Sequence, residues 1–264
     1  MARLNAGPDS LAVITGATAG IGREFAEQLA KRGHSLLLIA RDAARLQSTA
    51  AELTKAHSIS VRFVPADLSR DEDIERVADA LALERNLDIL VNNAGFGSQG
   101  RFHEIDADVQ NRMVHLHVVA VSRLSSAVLP GMVARGRGWL INVSSIAGFL
   151  YGPGNANYCA TKGYEIQFTN SLDTELANTG VYVQALCPGF THTEFHDRGK
   201  MDKRTVPDFL WHDARGVVSA SIGAAERGRP RILVPGWKNK ILALAARLSP
   251  HWVRRRGRPN MRRD

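Results

Sequence analysis

The chain has 264 residues, 44% of them hydrophobic, with a formal net charge of +8 and two cysteines. That length holds one large α/β domain with a substantial core, and no linker, repeat or low-complexity tract divides it. Two cysteines, Cys159 and Cys187, exclude a disulfide framework and fit a reducing cytoplasm.

The basicity is local: Arg254 to Asp264 hold six arginines and one aspartate. The remainder is nearly neutral, which argues against a nucleic-acid partner. No signal-peptide run opens the sequence, and no apolar run is expected to reach the ~18 residues of a membrane span. Asn142-Val143-Ser144 matches a glycosylation sequon but lies in an expected buried strand.

Leu11-Ala-Val-Ile-Thr predicts a short buried strand, and the glycine turn after it leads into a helix over about 21–32, ended by Gly33. Residues 35–40 form a second strand and 42–55 a polar-faced helix. A third strand spans 61–67, a helix about 71–83, and a fourth strand 87–91. A long helical region covers about 106–134, followed by a strand over 139–143. The helix carrying Tyr158 runs to about 178, where Gly180 stops it. Strands over 181–186 and 231–234 complete the series. Continuous apolar strands alternating with helices predict a parallel sheet covered on both faces. Right-handed crossovers make it a doubly wound Rossmann fold of seven strands over residues 1–236. Residues 237–264 then form an amphipathic segment and a basic tail.

Tyr158 and Lys162 are four residues apart and share a helix face, with Cβ atoms roughly 5–6 Å apart. An ammonium beside a phenol favours the phenolate, lowering a pKa near 10 and making a proton donor usable near neutral pH. Ser144 and Ser145 stand where the fifth strand ends, the position at which open α/β sheets bind ligands. At the first strand, Gly16, Gly20 and Gly22, with Thr18, Ala19 and Ile21 between them, form a turn almost free of side chains. Such a turn admits a pyrophosphate to the helix N-terminus, where free amides and the dipole favour anions.

The TGxxxGxG turn, Asn92-Asn93-Ala94-Gly95 and Tyr158-x-x-x-Lys162 together resemble the short-chain dehydrogenase/reductase family in its compact form, over roughly residues 10–235. The resemblance implies a catalytic set of Ser145, Tyr158 and Lys162. Ser145 is preferred to Ser144 because the family serine stands thirteen residues before its tyrosine. Ser145 would hold the substrate oxygen, Tyr158 donate the proton, and Lys162 bind the nicotinamide ribose and lower the Tyr158 pKa. Asp67 and Leu68 resemble the adenine-holding pair. Asn92 and Ala94 resemble residues lining the cofactor cleft, and Gly95 permits close approach. Pro188, Gly189, Thr191 and Thr193 resemble the segment along the nicotinamide. His117 stands where the family often has an asparagine supporting a water relay to the lysine. It is taken as a relay member, with a satisfied buried histidine as the alternative. No metal site is expected.

The second strand ends at Ala40-Arg41 rather than in an aspartate. An aspartate there binds a ribose 2′-hydroxyl and an arginine accommodates a 2′-phosphate, so NADP(H) is the expected cofactor. Asp42 more naturally caps the next helix than binds the ribose.

The implied activity is hydride transfer between NADPH and a carbonyl or alcohol, on an apolar or acyl-like substrate. The alternatives are a ketoacyl reductase of a fatty-acid or polyketide pathway, and a non-catalytic NADP-binding regulator. The second of these would show damage to Ser145, Tyr158 or Lys162, and none is present. Phe190, Phe195, Phe209 and Trp211 suit a flap over an apolar ligand, or packing of a loop on its own domain. Ile241, Leu242, Ala245, Leu248 and Trp252 share a helical face ahead of Arg254, Arg255 and Arg256. That face fits a homodimer or homotetramer interface, or weak contact with an anionic membrane.

Overall fold

The computed structural model describes residues 10–151, 153–194 and 207–248. Its strands are β1 (Leu11–Thr15), β2 (Ser35–Ala40), β3 (Val61–Pro65), β4 (Leu87–Asn92), β5 (Gly138–Val143), β6 (Val181–Leu186) and β7 (Ile232–Leu233). They form one sheet in the order β3-β2-β1-β4-β5-β6-β7, all parallel. Val13 of β1 sits opposite Leu37 of β2 and Leu90 of β4. The chain winds outward from β1 to β3, then returns to β4 on the other side of β1. The connections leaving β1 and β4 therefore diverge and open a crevice at their carboxyl ends.

The helices are α1 (Gly20–Ala30), α2 (Ala43–His57), α3 (Asp71–Ala82), α4 (Ala107–Val114), α5 (Ala120–Arg135), α6 (Ala156–Glu175), α7 (Ala214–Arg227) and α8 (Trp237–Leu248). Alternation along each strand sends Ile14, Leu38 and Ile141 to one face, under Phe25 of α1, Leu46 of α2 and Ile222 of α7. Val13, Leu37 and Leu140 face the other way, against Ile74 of α3, Leu124 of α5 and Leu172 of α6. Each such fully buried side chain contributes about 1.5–3 kcal/mol of transfer free energy.

Three details depart from the sequence expectation. β3 stops at Pro65, not at Asp67, because the Asp67 carboxylate takes the Ser69 amide (3.1 Å) and hydroxyl (2.7 Å) into a turn. An edge strand tolerates the proline. β7 is two residues long rather than four. The run Ala107–Arg135, interrupted by a π-helical turn at His115–Val119, is long and apolar enough by composition to cross a membrane. Leu124, Val128 and Met132 of that run lie in the core against the sheet.

α8 docks on the short 3₁₀ turn Ile146–Phe149. Its inward face is Asn239 and Ala243, both buried, while Ile241, Leu242 and Ala245 of the expected apolar face are exposed. Trp237, Ile241 and Leu244 are more than half exposed. Trp252 and the arginines after it lie outside the described residues, as does the side chain of Leu248.

Candidate active site

The crevice is built on Thr15, the last residue of β1. Its buried hydroxyl oxygen accepts from the amides of Asn93 and Ala94, both at 2.9 Å. The Asn93 amide group donates to the carbonyls of Thr15 (2.9 Å) and Gly16 (3.3 Å), so the segment after β4 is tied to the glycine turn. Gly16 has φ of +67°, and a Cβ there would lie 2.8 Å from Asn93 Nδ2. A Cβ on Gly22 would lie 2.3 Å from the Gly16 carbonyl oxygen, so α1 packs directly on the turn. α1 begins with Ala19 in an extended conformation, with no side-chain cap and no acidic residue in its first turn. Its first amides are therefore not answered by a cap, which suits an anion.

Of the expected crevice residues, Asn92 turns inward. Its amide donates to Asn142 Oδ1 (2.9 Å) and Ser125 Oγ (3.3 Å), and Asn142 donates on to Thr169 Oγ1 (3.0 Å). The side chain is thereby committed to joining β4, β5, α5 and α6 rather than facing the cleft. Ala94 stays partly exposed there. Gly95 allows a close approach, since a Cβ on it would lie 2.9 Å from His117 Nε2 and 3.7 Å from Lys162 Nζ.

At the end of β2, Arg41 is exposed and has no hydrogen-bond or ion-pair partner among the described residues. Asp42 accepts from the Arg45 amide at 3.0 Å, capping α2. Arg45 donates to the Thr18 carbonyl (3.0 Å) and to both carboxylate oxygens of Glu194 (2.9 and 3.1 Å). The segment after β6 thus closes over the glycine turn, and Thr193 packs where a Cβ on Gly20 would fall. Pro188 accepts from the Ile146 amide at 3.0 Å, and buried Thr191 donates to the Gly189 carbonyl at 3.1 Å. Gly189 lies against the Asn239 amide, joining α8 to the same segment. Asp67 and buried Leu68 follow β3. The rings of Phe190 and His192 pack on Trp211. Phe195 and the Phe209 side chain lie outside the described residues.

Tyr158 and Lys162 come from α6 and Ser145 from the end of β5. Ser145 Oγ accepts from the Ala147 amide at 3.1 Å and shares a hydrogen bond with the Tyr158 hydroxyl. Ser144 instead donates to the Lys162 carbonyl at 2.8 Å, which fixes α6 on β5. Lys162 is buried, and its ammonium donates to the Val143 carbonyl (2.9 Å) and to both oxygens of Glu165 (2.9 and 3.0 Å). Glu165 is 1% exposed. Burial pushes its carboxyl upward, while Lys162 opposes that shift. The sequence showed the acid three residues after the lysine, but gave no sign that it was buried.

Two expectations change here. The Tyr158 phenol is raised, not lowered: burial dominates, the Ser145 hydrogen bond opposes it, and Glu165 and Cys159 add to the rise. Lys162 is answered by the Glu165 carboxylate. Buried His117, in the π turn, also differs from a relay member. Its Nε2 accepts from the Phe96 amide (3.2 Å), which leaves Nδ1–H to donate to Thr161 Oγ1 (3.0 Å). With both nitrogens engaged, it has none to offer a chain to Lys162. Its pKa is held well below the usual histidine value by burial and then by the Lys162 charge.

This arrangement predicts that His117 stays a neutral Nδ1–H tautomer throughout the range in which exposed histidines charge. ¹⁵N spectra of the imidazoles recorded against pH check it. A His117 signal titrating near the ordinary value of about 6.5 contradicts the hydrogen-bond assignment.

Residues 10–203 match the family described as short chain dehydrogenase. The very-long-chain 3-oxoacyl-CoA reductase of Anas platyrhynchos is 34% identical over 228 residues, 84% of this chain and 70% of that protein. A short-chain dehydrogenase from Sphingobium yanoikuyae, solved in complex with NADPH, superposes with a TM-score of 0.83 at 34% identity, covering 89% of this chain and 92% of that one. The bulky-bulky ketone specific alcohol dehydrogenase from Comamonas testosteroni does so with a TM-score of 0.78 at 31% identity, over 90% and 92%. With the strand order, the glycine turn and the Ser145, Tyr158 and Lys162 cluster, these matches show that the chain belongs to the short-chain dehydrogenase family.

Proposed function

We propose that this oxidoreductase is an NADPH-dependent carbonyl reductase acting on an apolar, acyl-like ketone in the cytoplasm. The observation that carries the reading is the hydrogen-bonded Ser145 and Tyr158 hydroxyl pair beside buried Lys162, at the carboxyl edge of the sheet. The crevice fits a nicotinamide dinucleotide, because α1 begins uncapped and Gly16 and Gly22 leave no room for a Cβ. When bound, the cofactor supplies the hydride.

In this reading the turn Gly16, Thr18, Ala19, Gly20, Ile21 and Gly22 holds the pyrophosphate with its backbone. Arg41 meets the 2′-phosphate, and Asp67 and Leu68 hold the adenine. Ala94, Gly95, Pro188, Gly189, Thr191 and Thr193 border the nicotinamide half. Lys162 would hold the ribose beside it by turning an N–H from Glu165 or Val143 toward it when the cofactor binds. Ser145 orients the substrate oxygen and Tyr158 gives it a proton. Asn92 and His117 act as positioning residues, the first within the sheet and the second by supporting Thr161 and Phe96.

An apolar substrate is favoured by the likeness to the bulky-bulky ketone specific alcohol dehydrogenase from Comamonas testosteroni. A second reading, reduction of a 3-oxoacyl thioester, is favoured by the name of the relative from Anas platyrhynchos.

The finer partner reading concerns α8. Trp237, Ile241 and Leu244 are spaced i, i+4, i+7 and form an outward apolar stripe. Lys238 and Lys240 flank it on opposite sides, with Lys238 Nζ 5.7 Å from the Trp237 ring centre. We read this stripe as a contact with the anionic cytoplasmic surface of a membrane. A second copy of the chain would set the like charges of Lys238 and Lys240 against each other there.

Two experiments check these readings. In the first, kcat/KM for reduction is measured across ketones of rising apolar chain length and should increase with length. One charge-assisted contact from Arg41 is worth roughly 1.5–3 kcal/mol, which predicts about a 10–150-fold preference for NADPH over NADH. Replacing Ala40→Asp and Arg41→Ala together should reverse that preference; equal use of both cofactors by the unmodified protein contradicts the role of Arg41. In the second, the protein should sediment with phosphatidylserine vesicles but not with phosphatidylcholine vesicles. Trp237→Ala with Ile241→Ser should abolish this without changing the oligomeric state. Loss of an oligomer in that variant would assign the stripe to a subunit interface instead.

A further inference from the structure

The mouth of the glycine turn carries an ion pair that has no part in the roles above. Arg45 stands in the first turn of α2, its amide held by the Asp42 cap at 3.0 Å. Its guanidinium reaches the Thr18 carbonyl in the turn (3.0 Å) and forks onto both carboxylate oxygens of Glu194 (2.9 and 3.1 Å). Glu194 comes from the opposite bank of the crevice, the segment after β6. That segment is anchored up to His192: Pro188 accepts from the Ile146 amide, Gly189 lies against Asn239, and the backbones of Phe190 and His192 pair with His212 at 2.8 and 3.0 Å. Thr193 and Glu194 extend past these anchors, and Thr193 lies against Gly20, the first residue of α1.

Neither charged side chain takes the amides that an anion would use. α1 has no side-chain cap, and Arg45 meets the turn at a carbonyl. The pair thus joins the two banks of the crevice without capping α1.

We propose that the Arg45–Glu194 pair is a strap across the glycine turn that must part for the nicotinamide dinucleotide to enter or leave, so that it sets the rate of cofactor exchange. The inference rests on the reading of the crevice as a dinucleotide site.

The strength of the pair suits that task. A two-pronged contact between a guanidinium and a carboxylate fixes one closed geometry. Its side chains are 40% and 48% exposed, so water and salt weaken it and it can yield at each passage. Opening steps of this kind limit turnover in many enzymes.

A strap differs in its kinetics from the other two things a carboxylate can do beside an anionic cofactor. A strap that closes with or without the cofactor slows entry and exit alike. A bare negative charge repels the phosphates, so it slows entry and speeds exit. A direct hold on the cofactor slows exit alone. Removal of Glu194 therefore moves the exit rate in opposite directions for a strap and for a charge, and the entry rate separates a strap from a direct hold.

The test follows NADPH fluorescence by stopped flow on the full chain with no ketone present. Mixing gives the association rate, and a chase with excess NADP⁺ gives the dissociation rate. The unmodified protein is compared with Glu194→Ala, Arg45→Ala and the variant carrying both. Glu194→Ala should raise both rates by roughly two- to fivefold, the range an exposed ion pair allows. In the Arg45→Ala background the same change should no longer speed release, because the pair is already broken. Should Glu194→Ala fail to fold, Glu194→Gln is judged by the same two rates. Release that is unchanged or slower without Glu194, faster release without faster entry, or equal acceleration in both Arg45 backgrounds each overturns the strap and leaves the cofactor site standing. An unmodified protein that binds neither NADPH nor NADH overturns the reading of the crevice itself, and the strap with it.

Discussion

Every polar group gathered at the carboxyl edge of this sheet has to be answered by another, because burial without a partner costs several kcal/mol per charge. Lys162 meets Glu165 and the Val143 carbonyl, His117 sits between Thr161 and Phe96, and Ser145 meets Tyr158. Beneath them the chain Asn92, Asn142 and Thr169 ties two strands and a helix together. The site is therefore one connected polar network set into an apolar core, and its geometry is as rigid as the packing around it.

The strand order explains why the network lies where it does. Reversal of winding at β1 parts the connections above it, and Thr15 uses its hydroxyl to hold the two sides at a fixed separation. The glycine turn and the Asn93–Gly95 segment can then touch through backbone alone. On the far side, Arg45 and Glu194 draw the segment after β6 across the same turn. That ion pair is exposed and worth at most about 1 kcal/mol, so it sets position more than stability. α8 completes the enclosure through Asn239 against Gly189.

Much of this was legible in the sequence. β1, β2 and β6 match the expected ranges because each is an apolar run closed by glycine or a polar turn. Ser145 was separable from Ser144 only through the family resemblance, which sets the serine thirteen residues before the tyrosine, and the structure puts the Tyr158 hydrogen bond on Ser145. The end of β3 was not legible, since an aspartate reads equally well as strand end or turn until Ser69 closes on it. The docked side of α8, through Asn239 and Ala243, was not legible, because apolar residues surround most of that helix. Glu165 was missed for a physical reason: an acid on a long helix is ordinarily solvated. Only the three-dimensional position of Lys162 makes burial tolerable there. Burial of the Tyr158 phenol, above all, reverses the shift expected from the lysine.

The central claim is that the Tyr158 hydroxyl delivers the proton in carbonyl reduction. Single-turnover reduction of a ketone by the NADPH-loaded protein, compared between the unmodified chain and Tyr158→Phe, tests it most directly. A positioned acid is worth about 10²–10⁴ in rate, so the variant should bind NADPH normally and lose turnover by at least the lower of these factors. Near-normal reduction by Tyr158→Phe would contradict the account.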